Sequence, residues 1–138
     1  MYLLDTHVVS ELRKGRAGRA HKGVVTWAQA VATDSLHLSV ITIMELELGI
    51  RRVAQKDPVQ SDMLRRWLDE QVIPAFAGRI LPIDVAVAQC CAGLHIPDPR
   101  SERDAFIAAT GIIHSMTVVT RNTLDFELTG VKLLNPWL

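Results

Sequence analysis

Residues 103–126 read RDAFIAATGIIHSMTVVTRNTLDF, and their order decides the fold. An acid, Asp104, opens a run over 105–113 that is apolar on every side, too apolar for a surface helix. A short β-branched run follows, Thr117-Val118-Val119-Thr120, and Arg121, Asn122 and Asp125 close the stretch. The pattern predicts a buried helix, a tight connection, a buried strand and a polar loop at that strand's carboxyl end. In open α/β sheets, ligands bind beyond the carboxyl ends of the strands. Thr120, Asn122 and Asp125 are therefore candidate site residues. A helix that feeds a parallel strand runs antiparallel to it, so Asp104 starts beside the same end.

The unit recurs along the chain. MYLL at 1–4 reads as a strand that ends in Asp5, and Thr6-His7 lead into a helix over 8–13. Asp5 reads either as the N-cap of that helix or as a site acid. Glu11 faces either the site or solvent, and His7 reads as a loop residue. Residues 13–22, RKGRAGRAHK, carry Arg13, Lys14, Arg16, Arg19 and Lys22, with glycines at 15 and 18 that break any helix. This basic run is either a solvated loop or a phosphate-contacting rim. Helical apolar spacing returns over 24–31.

LHLSVI at 36–41 predicts a second strand, and a helix is expected to start at Thr42. Thr42-x-x-Glu45 fits a capping box, which would explain Glu45 without function. The other reading points Glu45 over the sheet edge towards Asp5. Glu47 lies about 200° away around the helix and is expected in solvent. A helix over 58–68 carries Met63, Leu64, Trp67 and Leu68 as its apolar stripe, and 72–77 is apolar. Residues 79–82 predict a third strand, Asp84 a cap for a helix over 85–92, and 93–103 a proline-containing loop turned at Asp98. Ser101-x-x-Asp104 fits a capping box loosely. Residues 131–138 predict a final strand ended by Pro136, with Trp137 anchored on the core.

The 138 residues predict one domain, 1–138, that buries about two-thirds of its unfolded surface. Lysine plus arginine and aspartate plus glutamate number 15 each, so no overall basic charge announces nucleic acid, although local patches remain open. Cys90 and Cys91 are adjacent and cannot staple distant segments; they fit a reducing compartment. No cysteine or histidine spacing suggests zinc. No signal-like segment and no run of about 18 apolar residues is read, so a cytosolic protein without a membrane partner is expected. Strand–helix units along the whole chain predict α/β architecture with a mainly parallel central sheet flanked by helices.

Each acid has a bland explanation alone. Together, Asp5, Glu45, Asp104 and Asp125 fall just beyond strands or at helix starts on one edge of one sheet. Two carboxylates ~4 Å apart repel by ~4 kcal/mol at an effective dielectric of 20. Such a group needs a cation or must protonate in part. All-oxygen ligands favour Mg²⁺ or Mn²⁺ over zinc, and helix N-termini offset part of the repulsion. Mg²⁺ held this way acidifies a water and orients a phosphate for in-line attack.

LLDTHVVSEL at 3–12, SVITIMELELG at 39–49, DAFIAAT at 104–110, TRNTLDF at 120–126 and LLNPW at 133–137 resemble the PIN-domain family. Within it they resemble most the VapC-type toxins and the FitB proteins, and FAGRILPID at 76–84 is similar to the FitB-like branch. The resemblance covers nearly the whole chain. It implies a PIN-like fold and a Mg²⁺- or Mn²⁺-dependent endoribonuclease, the toxin of a type II toxin–antitoxin pair. It also implies an acidic cluster of Asp5, Glu45, Asp104 and Asp125 with Asn122 and Thr120 as polar support, and Asp5, Asp104 and Glu45 holding the metal. Its implied partners are an RNA substrate, a cognate antitoxin, a second copy in a homodimer, and operator DNA reached only through the antitoxin. The chain departs from the family at 93–103, short and proline-containing here, and at Arg103, where small residues are common.

Two other readings remain at this level. One is a catalytically weak protein that acts mainly in an antitoxin–operator complex. The other is a phosphoacceptor or phosphatase with Asp5 as nucleophile, disfavoured because Asp5-Thr6-His7 lacks a second acid two residues on.

Overall fold

A computed structural model describes residues 1–138 apart from the side chain of Arg16, whose part in the basic run lies outside the described residues. Five strands form one sheet in the order β3-β2-β1-β4-β5. They are β1 (Tyr2–Leu4), β2 (Leu36–Ser39), β3 (Ile80–Leu81), β4 (Thr117–Val119) and β5 (Leu133–Leu134). Every pairing is parallel. Helices α1 (Thr6–Arg13) and α2 (Lys22–Ala30) link β1 to β2. Helices α3 (Val40–Ala54), α4 (Pro58–Arg66) and α5 (Ile73–Ala75) link β2 to β3, and α6 (Val85–Leu94) and α7 (Glu102–Ile113) link β3 to β4. The chain steps outward from β1 to β3, then returns to lay β4 on the free side of β1. Strand order reverses between β1 and β4, and such a reversal opens a crevice at the carboxyl edge.

The period-2 alternation of strands splits the core into two layers. Leu4, Leu38 and Val119 face Val8, Val24, Leu46, Ile50 and Leu68. Leu3 and Val118 face the other way, against Ile107, Ala108, Phe126 and Val131. Strands buried on both faces read as unbroken apolar runs, which is why MYLL and TVV show no polar alternation. Helix α7 is apolar all round because it is enclosed: Ala105 and Ala109 pack against Val87 and Cys91 of α6, while Ile107 and Ala108 meet the sheet. A Cβ on Gly111 would lie 2.9 Å from Val131 Cγ2 and 3.0 Å from Val118 Cγ2, so the last turn of α7 sits close to the sheet only because that residue is glycine.

Several expectations are corrected. Strand β2 ends at Ser39, whose hydroxyl accepts from the Ile41 N–H at 3.0 Å and caps α3. Thr42 is therefore inside the helix and fully buried, and the Thr42–Glu45 capping box does not form. The helix expected over 58–68 runs on through a π-helical turn, Trp67–Val72, into α5, with the irregular turn just before Pro74, which has no N–H to donate. Met63, placed in its apolar stripe, is 59% exposed. Glu47 is not free in solvent: Arg51 and Arg65 both pair with it, and their hydrogen bonds hold its carboxyl low, at about 2. The terminal strand is only Leu133–Leu134. Asp84 caps α6 as expected, accepting from Val87 N–H at 3.0 Å. Among the described residues no helix is long and apolar enough to cross a membrane.

Candidate active site

Asp5 is the first residue beyond β1, and 5% of its surface is exposed. It is the N-cap of α1 and also lines an acidic cavity. Its Oδ1 accepts from Thr6 N–H at 2.8 Å, and its Oδ2 accepts from the Thr120 hydroxyl at 2.9 Å. Thr120, fully buried just beyond β4, in turn accepts from Asn122 N–H at 3.0 Å. The ends of the two central strands are thus tied across the crevice by a chain from Asn122 through Thr120 to Asp5. Burial pushes the Asp5 carboxyl above its ordinary value, against the lowering effect of the Thr120 and Thr6 hydrogen bonds.

Glu45 reaches the same place from α3. Thr6 Oγ1 lies 2.7 Å from Glu45 Oε1 and 3.1 Å from Thr42 Oγ1. A hydroxyl has one proton, and the carboxylate is the stronger acceptor, so Thr42 is left to donate to Thr6. On its other side, Glu45 Oε2 is 3.6 Å from Arg103 Nη1.

Asp104 is the third residue of α7, whose cap Ser101 accepts from its N–H at a long 3.5 Å. Its carboxyl is pushed up to about 6, first by burial and then by the charges of Asp5, Asp125 and Glu45. Those repulsions mean that the carboxylates share one space. They line a single cavity of about 350 Å³ together with Asn122, Arg52 and Arg103. Asp125 enters it from a short 3-10 turn, Thr123–Asp125, after β4. Of the six candidate residues, only Thr120 does not line the cavity; it stands behind Asp5.

Thr6, His7, Arg52 and Arg103 also line this cavity and were not singled out as site residues. Arg52 had a readable signal, since Glu45, Gly49 and Arg52 follow the i, i+4, i+7 spacing of one helix face. Glu11 lies outside the acidic cavity, where it accepts from His21 N–H at 3.0 Å and pairs with Lys14. The basic run is dispersed: Arg13 and Arg19 line an apolar groove, whereas Lys14 lies nearer the acids, in a cavity that shares His7 and Asn122 with theirs. That groove, of about 540 Å³, is lined by Leu12, Met63, Trp67 and Phe76 and holds no carboxylate.

The sequence matches the PIN domain family over residues 2–130. It is 37% identical over 142 residues to VapC ribonuclease Y4jK of Sinorhizobium fredii, covering 99% of this chain and 98% of the relative. Toxin FitB of Neisseria gonorrhoeae is 35% identical over 142 residues, covering 99% of each. A solved structure of FitAB bound to an IR36 DNA fragment is 34% identical, with a TM-score of 0.88 over 100% of this chain and 96% of that one.

Proposed function

The chain belongs to the PIN domain family, among its VapC- and FitB-like members, and we propose that it is a divalent-cation-dependent endoribonuclease, the toxin of a type II toxin–antitoxin pair. The observation that carries this is the gathering of Asp5, Glu45, Asp104 and Asp125 around one cavity at the β1–β4 reversal. Like charges so placed call for a cation, and an all-oxygen set suits Mg²⁺ or Mn²⁺. Among the described residues, no three acidic or imidazole groups already surround one point. Mg²⁺ is commonly held through one or two carboxylates and keeps its waters, so Asp5 and Asp104 are a sufficient pair, with Glu45 as a third ligand. When bound, the ion supplies Lewis-acid stabilisation of a phosphodiester under in-line attack by water.

The chain's own residues do the rest. Thr120 and Thr6 hold both Asp5 oxygens in one orientation, so the acid needs no rearrangement to act. Asp125 faces the cavity and accepts the proton of the attacking water. Water bonds to phosphorus, the phosphorus–oxygen bond to the leaving ribose breaks, and that oxygen takes a proton from solvent. Asn122 orients the substrate, while Arg52 and Arg103 draw the polyanion to an otherwise acidic cleft.

The apolar groove beside α1 and α4, rimmed by Arg13 and Arg19, suits an amphipathic acidic segment of the antitoxin. The reading includes a homodimer in the cytoplasm that reaches operator DNA only through the antitoxin. A second reading, a catalytically weak member acting mainly in an antitoxin–operator complex, is favoured by the likeness to DNA-bound FitAB. Incubating purified, antitoxin-free protein with mixed tRNA and rRNA separates the two. Discrete fragments that need Mg²⁺ or Mn²⁺, vanish in EDTA and vanish in an Asp5→Asn, Asp104→Asn double variant support the nuclease. Intact RNA under all conditions with folded protein supports the second reading.

A further inference from the structure

A second cavity, of about 360 Å³, lies beside the acidic one and is lined by His7, Glu11, Lys14, Arg121, Asn122 and Trp137. It is within the size range of small-ligand pockets. His7 and Asn122 line both cavities, so the two are contiguous along the carboxyl edge of the sheet. Their chemistry differs. The first gathers carboxylates, and the second brings two cations, Lys14 and Arg121. Its one acid, Glu11, is already engaged by His21 N–H and Lys14, which hold its carboxyl below the usual range.

Arg121 is the distinctive group. It directly follows Thr120, the residue that fixes Asp5. Its guanidinium lies 5.6 Å from the centroid of the Trp137 ring. It makes no ion pair among the described residues. The ring under it is itself held: Trp137 packs on the core, and its backbone N–H donates to Asn135 Oδ1 at 2.9 Å. Helix α2 presses on this segment so closely that a Cβ on Gly23 would meet the Pro136 carbonyl oxygen at 2.5 Å. A guanidinium stacked on a ring keeps its N–H groups free for bidentate contact with phosphate. Here is an oriented cation without a carboxylate partner, next to a cluster read as cutting phosphodiesters.

We propose that the second cavity is a nucleotide subsite, in which Arg121, braced by Trp137, holds the backbone phosphate adjacent to the one being cleaved. The ligand class is a nucleotide of single-stranded RNA, because a half-open cleft of this volume, with an indole and a guanidinium in its wall, suits one unstacked unit and not a duplex. The inference rests on the nuclease reading of the acidic cavity.

The test uses a fluorescein-labelled single-stranded RNA of mixed sequence and the full chain carrying Asp104→Asn, so that binding is read without cleavage. Adding Arg121→Gln weakens binding about tenfold and lowers the slope of log affinity against log salt by about 0.7, the value for one lost phosphate contact on a single strand. Adding Lys14→Gln weakens it about threefold, since that charge is shared with Glu11. Lys132→Gln removes an equal charge from an exposed residue at the amino end of β5, on the opposite edge of the sheet, and leaves both readouts within about twofold. In the otherwise wild-type enzyme, Arg121→Gln raises KM about tenfold with kcat within about twofold, and circular dichroism shows a folded chain. Cleavage by wild type with KM and salt slope unchanged in Arg121→Gln overturns the subsite alone, as does an equal loss in Lys132→Gln. Absence of both cleavage and RNA binding in the parent proteins overturns the nuclease reading, and the subsite with it.

Discussion

Replacing Asp104 with Asn will stabilise the metal-free protein while removing a group the proposed reaction needs. The carboxyl of Asp104 rises from an ordinary 3.8 to about 6 through burial and the charges of Asp5, Asp125 and Glu45. A raised carboxyl binds its proton more tightly in the folded state than in the unfolded one. By linkage, stability then falls as pH rises from about 4 to about 6, and the penalty is complete above 6. A rise of that size corresponds to at most about 3 kcal/mol. Asp104 is only half-buried, and solvent screens part of the repulsion, which brings the expected penalty to about 1–2 kcal/mol. Asn keeps the shape and drops the charge. Its one loss is the favourable placing of an acid in the first turn of α7, worth about 0.3–1 kcal/mol.

At pH 8 in EDTA, Asp104→Asn should therefore melt about 3 °C higher than wild type, at roughly 3 °C per kcal/mol for a chain this long. At pH 4.5 most of the difference disappears. Exposed Asp62→Asn on α4, a control for net charge alone, should stay within about 0.5 kcal/mol. Millimolar Mn²⁺ then reverses the order, because an ion that binds only the folded wild type raises its stability in proportion to log concentration. A variant less stable than wild type in EDTA at pH 8, or a gain equally large at pH 4.5, would show that burial and the neighbouring charges do not raise the Asp104 carboxyl and would falsify the electrostatic account of the site.

Three further outcomes follow from the same geometry. Titration calorimetry with Mn²⁺ should show apparent affinity falling about tenfold per pH unit below pH 6, where the ion must displace the Asp104 proton; affinity flat from pH 7 to 5 refutes this. Arg103→Ala frees Glu45 from the pair at 3.6 Å and should tighten Mn²⁺ binding about three- to tenfold, with less than about 1 kcal/mol change in stability; weaker binding would mean that Arg103 orients Glu45 and does not compete for it. Thr120→Val removes the donor to a nearly buried carboxylate and should cost about 1–3 kcal/mol in urea unfolding at pH 7; Thr120→Ser should recover most of it, and equal losses in both would point to packing alone.

The fold was legible because burial writes itself into composition. MYLL and TVV show no polar alternation because both faces of β1 and β4 are covered, and the apolar α7 sits between the sheet and α6. Element ends were less legible. Val40 and Ile41 are β-branched and read as strand, yet they form the first turn of α3, since tertiary position overrides weak propensity. The cations around the cavities were only partly legible. Arg52 follows the helix face of Glu45, and Arg103 and the basic run stand out in the sequence as a departure and a candidate rim. Where a long side chain ends is not printed in a sequence, so the place of Arg121 beside Trp137 emerged only once its neighbours were placed.

Glu45 shows how a small boundary error changes a functional reading. Ser39 and Thr42 are both acceptable caps by type, and the sequence pattern favoured Thr42 because an acid follows three residues later. The sheet decides otherwise. Ser39 is the last residue of β2 with a partner, Leu81 of β3, so the chain leaves the sheet there and the cap falls on Ser39. With Thr42 as cap, Glu45 would be the third helical residue, its carboxylate folded back onto the helix end. With Ser39 as cap it is the sixth, out of reach of the end, and it turns to Thr6 and Arg103 at the mouth of the cavity. Three residues of register turn a local capping acid into one that faces Asp5 and Asp104, and that shift follows from where β2 loses its partner in the sheet.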